Sequence, residues 1–408
     1  MADLKGLFRG DELGDREKKN LLILDLVRKK GPLSRTDISR ITGFNIVTVG
    51  NYIDRYIKEG LVSEEGYDSS TGGRKPMLVD LNYESAYIIG VGFDMTDMLG
   101  VVVDLRGNIL FRTRKKRPAE TGKALLSNLM ELVEEVLSNP SLDKNKIKGI
   151  GLAVAGIIDT DNMTIRWPGP LGSPDMVVSA SLLDALENRF NIPVVVENDA
   201  DCAAFGEQWI VLDPELKNII YTYSGVSCGI IINGQIYKGA SGCAGELGIL
   251  NPLDLNKYDW KKESYGLGRW NMELGMLDDI KDVYKKYPDS KIFALADSKD
   301  LETVNFIVIV AAANAKDEAA ILLLGKAGEN LGRKIAFLVN LLNPQVVVVG
   351  GGIEMAGSFL LDPLKKAVKE WAFEESTRAL KIVPAQLAEN AVPLGAASVV
   401  TQKYFEHM

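Results

Sequence analysis

At 408 residues the chain is longer than one compact core organises, so two or three domains are expected, and its 46% apolar and 25% charged content fits a soluble globular protein. No apolar run reaches bilayer-spanning length, Met1-Ala2-Asp3-Leu4-Lys5 opens no leader pattern, and Cys202, Cys228 and Cys243 form no CxxC pair; a membrane partner and a disulfide framework are excluded, and a cytoplasmic location is expected. The net charge of −8 is uneven: residues 1–79 hold 14 Lys and Arg against 12 Asp and Glu, the remainder 33 against 43, so a polyanion would meet the N-terminal region.

Residues 1–80 read as one domain. Over residues 17–30, Leu21, Leu24 and Val27 recur at helical spacing until Gly31-Pro32 stops the run. Ser34 caps a second helix, with Asp37 three residues on as in a capping box and Ile38 and Ile41 facing inward. Gly43 supplies a sharp turn, and Asn45 starts a third helix with Val49, Ile53 and Ile57 on its core face, ended by Gly60. Gly50 in mid-helix costs about 1 kcal/mol against Ala and suggests close helix–helix contact. Two strands follow, Leu61 to Glu65 and Met77 to Val79, joined through Thr71-Gly72-Gly73-Arg74-Lys75-Pro76. The pattern describes a winged helix-turn-helix, with a small protein-interaction module as the bland alternative.

For double-stranded DNA the candidate residues are Asn45, Val47, Thr48, Asn51, Tyr52 and Arg55 on the third helix, facing a major groove, and Arg74 and Lys75 at the wing tip, facing phosphate.

The body spans residues 85–408. Tyr87 to Asp94, Met98 to Asp104 and Gly107 to Leu110 read as consecutive strands; Ile219 to Ser224, Gly229 to Ile232 and Gly234 to Tyr237 repeat the plan. Helices follow each set, and another strand runs into Gly350-Gly351-Gly352. This is an α/β body of two comparable halves, roughly 85–200 with the C-terminal end and 201–390, an actin-like, sugar-kinase-like architecture built of ribonuclease H-like halves. His407 is the only histidine and sits second from the end, where fraying is the default.

Two segments carry the chemistry. Val194 to Val196 leads as a strand into Asn198-Asp199, which places a carboxylate at a strand's C-terminal end, where open α/β proteins bind ligands; a helix cap by either residue is the alternative. Glu246 follows Gly239-Ala240-Ser241-Gly242-Cys243-Ala244-Gly245, with a solvated surface Glu as its alternative. Gly156 brings backbone close or simply turns the chain.

These segments, the body and the Gly-Gly-Arg-Lys-Pro wing together resemble the ROK family (repressors, open reading frames and kinases). The resemblance implies that Gly156, Asn198, Asp199 and Glu246 bind a sugar, and that in a kinase Asp199 would be the base. Its phosphate loops are altered here. Asp94-Met95-Thr96-Asp97 replaces a loop of Asp followed by glycines, and Asp97 sets a carboxylate near polyphosphate, a repulsion of roughly 4 kcal/mol at about 4 Å and an effective dielectric of 20. Tyr223-Ser224-Gly225-Val226-Ser227-Cys228-Gly229 has lost two glycines. The family's zinc-binding His and cysteines are absent, Ile249 standing for the His and residues 262–270 lacking cysteine. Trp270 and Tyr265 are candidates to replace the metal by packing, Trp270 or Trp167 to stack on a ligand, with a core position as the alternative, and Glu273 to replace a further sugar-binding Glu of the family.

The resemblance implies a transcriptional regulator, a repressor of carbohydrate-use genes, that takes an operator DNA and a sugar effector, works as a homodimer or higher homo-oligomer, and needs no cofactor and no metal. An ATP-dependent sugar kinase with an appended head, or a sugar-binding scaffold, are the competing expectations.

Overall fold

The computed structural model describes residues 13–67, 76–93, 97–116, 123–159, 164–167, 176–178, 181–223, 227–247, 276–296 and 304–408. Two compact units form, residues 1–165 with 178–202 and 392–408, and residues 166–177 with 203–391. The N-terminal head belongs to the first.

In the head, α1 (Asp15–Lys30), α2 (Arg35–Thr42) and α3 (Ile46–Lys58) surround a core of Ile23, Leu24, Val27, Ile38, Val49, Ile53 and Tyr56. The caps are local and strong. Ser34 Oγ accepts the Asp37 amide at 3.1 Å and donates to Asp37 Oδ2 at 2.6 Å, and that bond holds the Asp37 carboxyl below its usual range. Asn45 Oδ1 accepts the Val47 amide at 2.8 Å and begins α3. Gly43 ends α2 at φ 73°, a left-handed turn that suits glycine. The strands β1 (Leu33–Ser34), β2 (Val62–Tyr67) and β3 (Met77–Leu81) make an antiparallel sheet in the order β1-β3-β2. The pairing of β1 had no signal in a two-residue stretch.

Three expectations for the head are corrected. Ile41 is 47% exposed, because α2 is only two turns long and buries Ile38 alone. Ile57 is half-buried, and Tyr56 takes the inward position. Gly50 has no atom within 4 Å of where a Cβ would stand, so no close helix contact offsets its cost to α3.

The body's first sheet contains β4 (Tyr87–Phe93), β5 (Asp97–Asp104), β6 (Ile109–Lys116), β7 (Ile147–Val154) and, after the short β8 (Ile157–Asp159), β9 (Thr164–Trp167) and β10 (Met176–Val178), β11 (Val194–Asn198). Its order is β11-β7-β4-β5-β6: β4, β5 and β6 form an antiparallel meander, while β7 and β11 run parallel to β4. Helices α4 (Lys123–Ser138) and α5 (Ser181–Phe190) make the crossovers. The central strands are buried almost throughout, whereas the edge strand β6 carries Arg112, Arg114, Lys115 and Lys116, charges that discourage edge pairing. Helix α6 (Asp199–Gly206) follows β11 directly.

The second unit repeats the plan. The strands β12 (Ile219–Tyr223), β13 (Ser227–Ile232) and β14 (Gln235–Ile236) form a meander, and β15 (Val346–Gly350) and β16 (Lys381–Pro384) lie parallel to β12, in the order β14-β13-β12-β15-β16. Helices α7 (Met276–Lys286), α8 (Lys291–Leu295), α9 (Phe306–Asn314), α10 (Glu318–Leu342) and α11 (Ser358–Trp371) supply its core, including Leu331, Ile335, Leu360 and Leu364. Gly328 and Gly332 let α10 meet the Leu360 and Leu364 carbonyls of α11, where any Cβ would collide.

The last helix, α12 (Ala391–Glu406), returns to the first unit. It sits directly on the sheet: a Cβ on Gly90 of β4 would strike the Pro393 carbonyl, and one on Gly151 of β7 the Ala396 carbonyl. Near His407 the chain is hydrogen-bonded: the His407 amide donates to the Lys403 carbonyl at 3.3 Å, and Asn20 holds the Glu406 carbonyl at 3.0 Å. Among the described residues no helix is long and apolar enough to cross a membrane.

Candidate functional site

On α3, Asn45, Val47 and Asn51 are exposed, and Thr48 and Tyr52 half-buried. Val47 is 67% and Ile46 47% exposed, so the first turn of this helix presents apolar groups to solvent. Arg55, expected among them, turns inward instead. Its guanidinium donates to Asn20 Oδ1 and lies 5.0 and 5.1 Å from the rings of Tyr52 and Tyr56, a setting that joins α3 to α1. Arg74 and Lys75 lie outside the described residues.

The sugar-site candidates of the first unit come together at the ends of two neighbouring strands. Parallel pairing sets Asn198 of β11 opposite Val154 of β7, two residues before Gly156. Gly156 has φ 113°, a conformation L side chains rarely adopt, and its carbonyl accepts Asn198 Nδ2 at 3.1 Å. Asn198 Oδ1 accepts the amides of Ala200 at 2.9 Å and Asp201 at 3.2 Å, so Asn198 both caps α6 and fixes the Gly156 turn.

Asp199 begins that helix with 4% of its surface exposed, and its Oδ1 accepts the Ala200 amide at 2.9 Å. A carboxylate there sits at the positive end of the helix dipole. Glu197 and Asp201 are buried beside it in sequence, and neither was singled out in advance; the run Glu197-Asn198-Asp199-Ala200-Asp201 was the available signal.

Glu246 belongs to the second unit and is half-buried. Its loop turns at Gly239, Gly242 and Gly245, all with positive φ, and hangs from β13 by the Cys228 amide, which donates to the Gly245 carbonyl at 2.8 Å. A Cβ on Gly245 would run into the Cys228 carbonyl, so this glycine is what lets the loop approach.

The loops of the phosphate comparison are partly visible. Asp97 opens β5, and its carboxylate pairs with Arg114 at 3.3 Å. Ser227 is buried as the first residue of β13. After β15, the Gly351 amide donates to Tyr221 Oη at 3.2 Å and the Gly352 amide to Glu354 Oε2 at 2.7 Å. The chain's own side chains thus take two amides of the triple-glycine turn. Burial pushes the Glu354 and Glu207 carboxyls upward, although Glu207 accepts the Gln386 and Leu387 amides at 2.7 and 2.8 Å.

Asp94, Thr96, Ser224, Gly225, Ile249, Tyr265, Trp270 and Glu273 lie outside the described residues, as does the side chain of Trp167. None of Cys202, Cys228 and Cys243 forms a disulfide. Among the described residues no group of three or more His, Cys, Asp and Glu is placed to hold a metal ion.

Comparison with known proteins adds the following. The sequence pattern of the ROK family matches residues 88–257 and 281–403. A xylose repressor of Caldicellulosiruptor bescii is 28% identical over 392 residues, covering 94% of this chain and 96% of that protein. A ROK family transcriptional regulator, a homologue of the Escherichia coli Mlc protein, superposes with a TM-score of 0.76 at 21% identity, over 96% of this chain and 97% of its own. A ROK family glucokinase from Streptomyces griseus, solved with glucose and AMPPNP, gives a TM-score of 0.62 at 25% identity, over 77% of this chain and 99% of its own.

Proposed function

The chain belongs to the ROK family, and from that premise we propose that it is a DNA-binding transcriptional repressor whose body takes a sugar as effector. The observation that carries this reading is the first turn of α3. Val47 is 67% exposed beside exposed Asn51, an apolar group and an amide set side by side on the helix that follows a helix-turn-helix bend. Such a pair suits a major groove, where thymine methyl groups and adenine edges lie within reach of one helix. Wing residues Arg74 and Lys75 add phosphate contacts.

In the body, Gly156, Asn198 and Asp199 bind hydroxyl groups of the effector, and Glu246 is a further acceptor for it. The relative's name makes D-xylose the first sugar to try. The protein acts in the cytoplasm as a homodimer or higher homo-oligomer reading two half-sites. A sugar kinase is the weaker reading: the curated relative is a repressor, and two amides of the Gly350–Gly352 turn are already held by Tyr221 and Glu354.

The test is fluorescence anisotropy of the full chain on DNA from upstream of its own gene at low salt, with and without D-xylose, beside an ATPase assay. Binding that the sugar alters, without turnover, is expected. No binding under any condition, or sugar-stimulated ATP hydrolysis lost in Asp199→Asn, overturns it.

A further inference from the structure

One side chain fastens the head to the end of the chain. Asn20, on α1, is 1% exposed, and its amide nitrogen donates to the Glu406 carbonyl at 3.0 Å and to the Met408 carbonyl. Its amide oxygen accepts Tyr56 Oη at 2.9 Å and the Arg55 guanidinium. Two donors and two lone pairs are all that an asparagine side chain offers, and every one is used. Asn20 therefore joins α1, α3 and the last turn of α12 at a point.

The other end of α12 meets the helix and the strand that carry the sugar candidates. A Cβ on Gly395 would collide with the Cys202 carbonyl, and the Ala396 carbonyl presses on Gly151. Cys202 lies one turn into α6, the helix that Asn198 caps; Gly151 lies in β7, the strand that leads to Gly156. From Gly395 to Glu406 a helix reaches roughly 16 Å at about 1.5 Å per residue. The first turns of α12 make backbone-close contacts and its last turn is held by the Asn20 amide, so a shift of one end is passed along the helix to the other.

We propose that α12 is the coupling rod between the strand-end site at Asn198 and the recognition helix α3, with Asn20 as its joint to the head. Occupation of the site moves α6 and the end of β7 against Gly395 and Ala396, and the displaced last turn of α12 pulls on Arg55 and Tyr56 through the Asn20 amide. Its regulatory meaning rests on the repressor reading; the mechanical coupling does not. The competing route is the linker, where Tyr83 Oη accepts Arg106 at 2.7 Å and the guanidinium stacks 3.9 Å above the ring.

A double-mutant cycle read by hydrogen exchange on the full chain, without ligand, separates the two. Val400→Ala perturbs the sheet end, since fully buried Val400 packs at Gly151. Asn20→Asp breaks the head end alone: it keeps an acceptor for Arg55 and Tyr56 and loses the donor to the two carbonyls. Asn20→Ser serves as the second break if the carboxylate unfolds the head, with far-UV circular dichroism as the check.

In the native background Val400→Ala is expected to speed exchange in α3 roughly tenfold. With Asn20 replaced, the same change should move α3 by less than about twofold while α12 still responds. An equal response of α3 in both backgrounds assigns the coupling to the Tyr83 linker and overturns the proposal, as does no response of α3 in the native background. Failure of the native chain to bind operator DNA, measured separately, sinks the repressor reading and leaves these ratios intact.

Discussion

Asn198 spends its side-chain nitrogen on the Gly156 carbonyl, 3.1 Å away, so the turn after β7 and the cap of α6 are one hydrogen-bonded element. That arrangement sets a rigid floor beneath Asp199, whose carboxylate lies one residue on.

Asn198→Ala should therefore cost more than a cap alone. Losing the Ala200 and Asp201 amide contacts together with the Gly156 bond is expected to destabilise the first unit by about 1–2 kcal/mol. Asn198→Asp, which keeps the cap acceptors, should retain most of the stability and lose sugar binding. Urea denaturation and calorimetric titration with D-xylose distinguish the two; equal stability of all three proteins would contradict the cap.

Asn51→Ala and Arg55→Ala should behave oppositely. Asn51 is exposed, so its loss is expected to leave the melting temperature unchanged and to relax discrimination at one base position by roughly 1–3 kcal/mol. Arg55 is held by Asn20 and two rings, so its loss should lower the melting temperature and weaken all DNA sequences alike. Competition binding against single-base operator variants gives the answer.

Arg74→Ala combined with Lys75→Ala should weaken DNA binding irrespective of sequence and flatten its salt dependence. Each phosphate contact removed lowers the slope of log affinity against log salt by about 0.9. A salt titration by anisotropy that shows an unaltered slope would rule out the wing as a phosphate contact.

Glu207→Gln tests the buried acid of the second unit. Burial places the folded carboxyl above its ordinary range, so the folded state binds that proton more tightly than the unfolded chain. The associated stability is present on the acid side and is lost as pH rises through the raised value. Gln keeps an oxygen for the Gln386 and Leu387 amides and carries no charge. The variant should melt higher than the parent at neutral pH, and the advantage should shrink toward acid. Parallel melting curves across that range would refute it.

What the sequence made legible was short-range. The caps at Ser34 and Asn45 and the turn at Gly43 involve neighbours two to four residues away, and residue type alone points to them. The duplicated meander was visible because β4 to β6 and β12 to β14 each alternate runs of strand formers with turns. The bond of Arg55 to Asn20 was not legible, because Asn20 is 35 residues upstream and a cationic side chain reads as a surface group. Glu207 gave no sign, since the amides it accepts are 179 and 180 residues downstream. In the candidate site, the acidic run around Asn198 was plain, but the bond to Gly156 spans 42 residues and belongs to the sheet rather than to either segment.

Because α12 seats on Gly90 and Gly151 and its end holds Asn20, the first unit is complete only once residues 391–408 have been added. Every strand of both sheets leaves the ribosome before residues 391–408 do. A nascent polypeptide interrupted anywhere in the second unit therefore carries a reading head without that anchor.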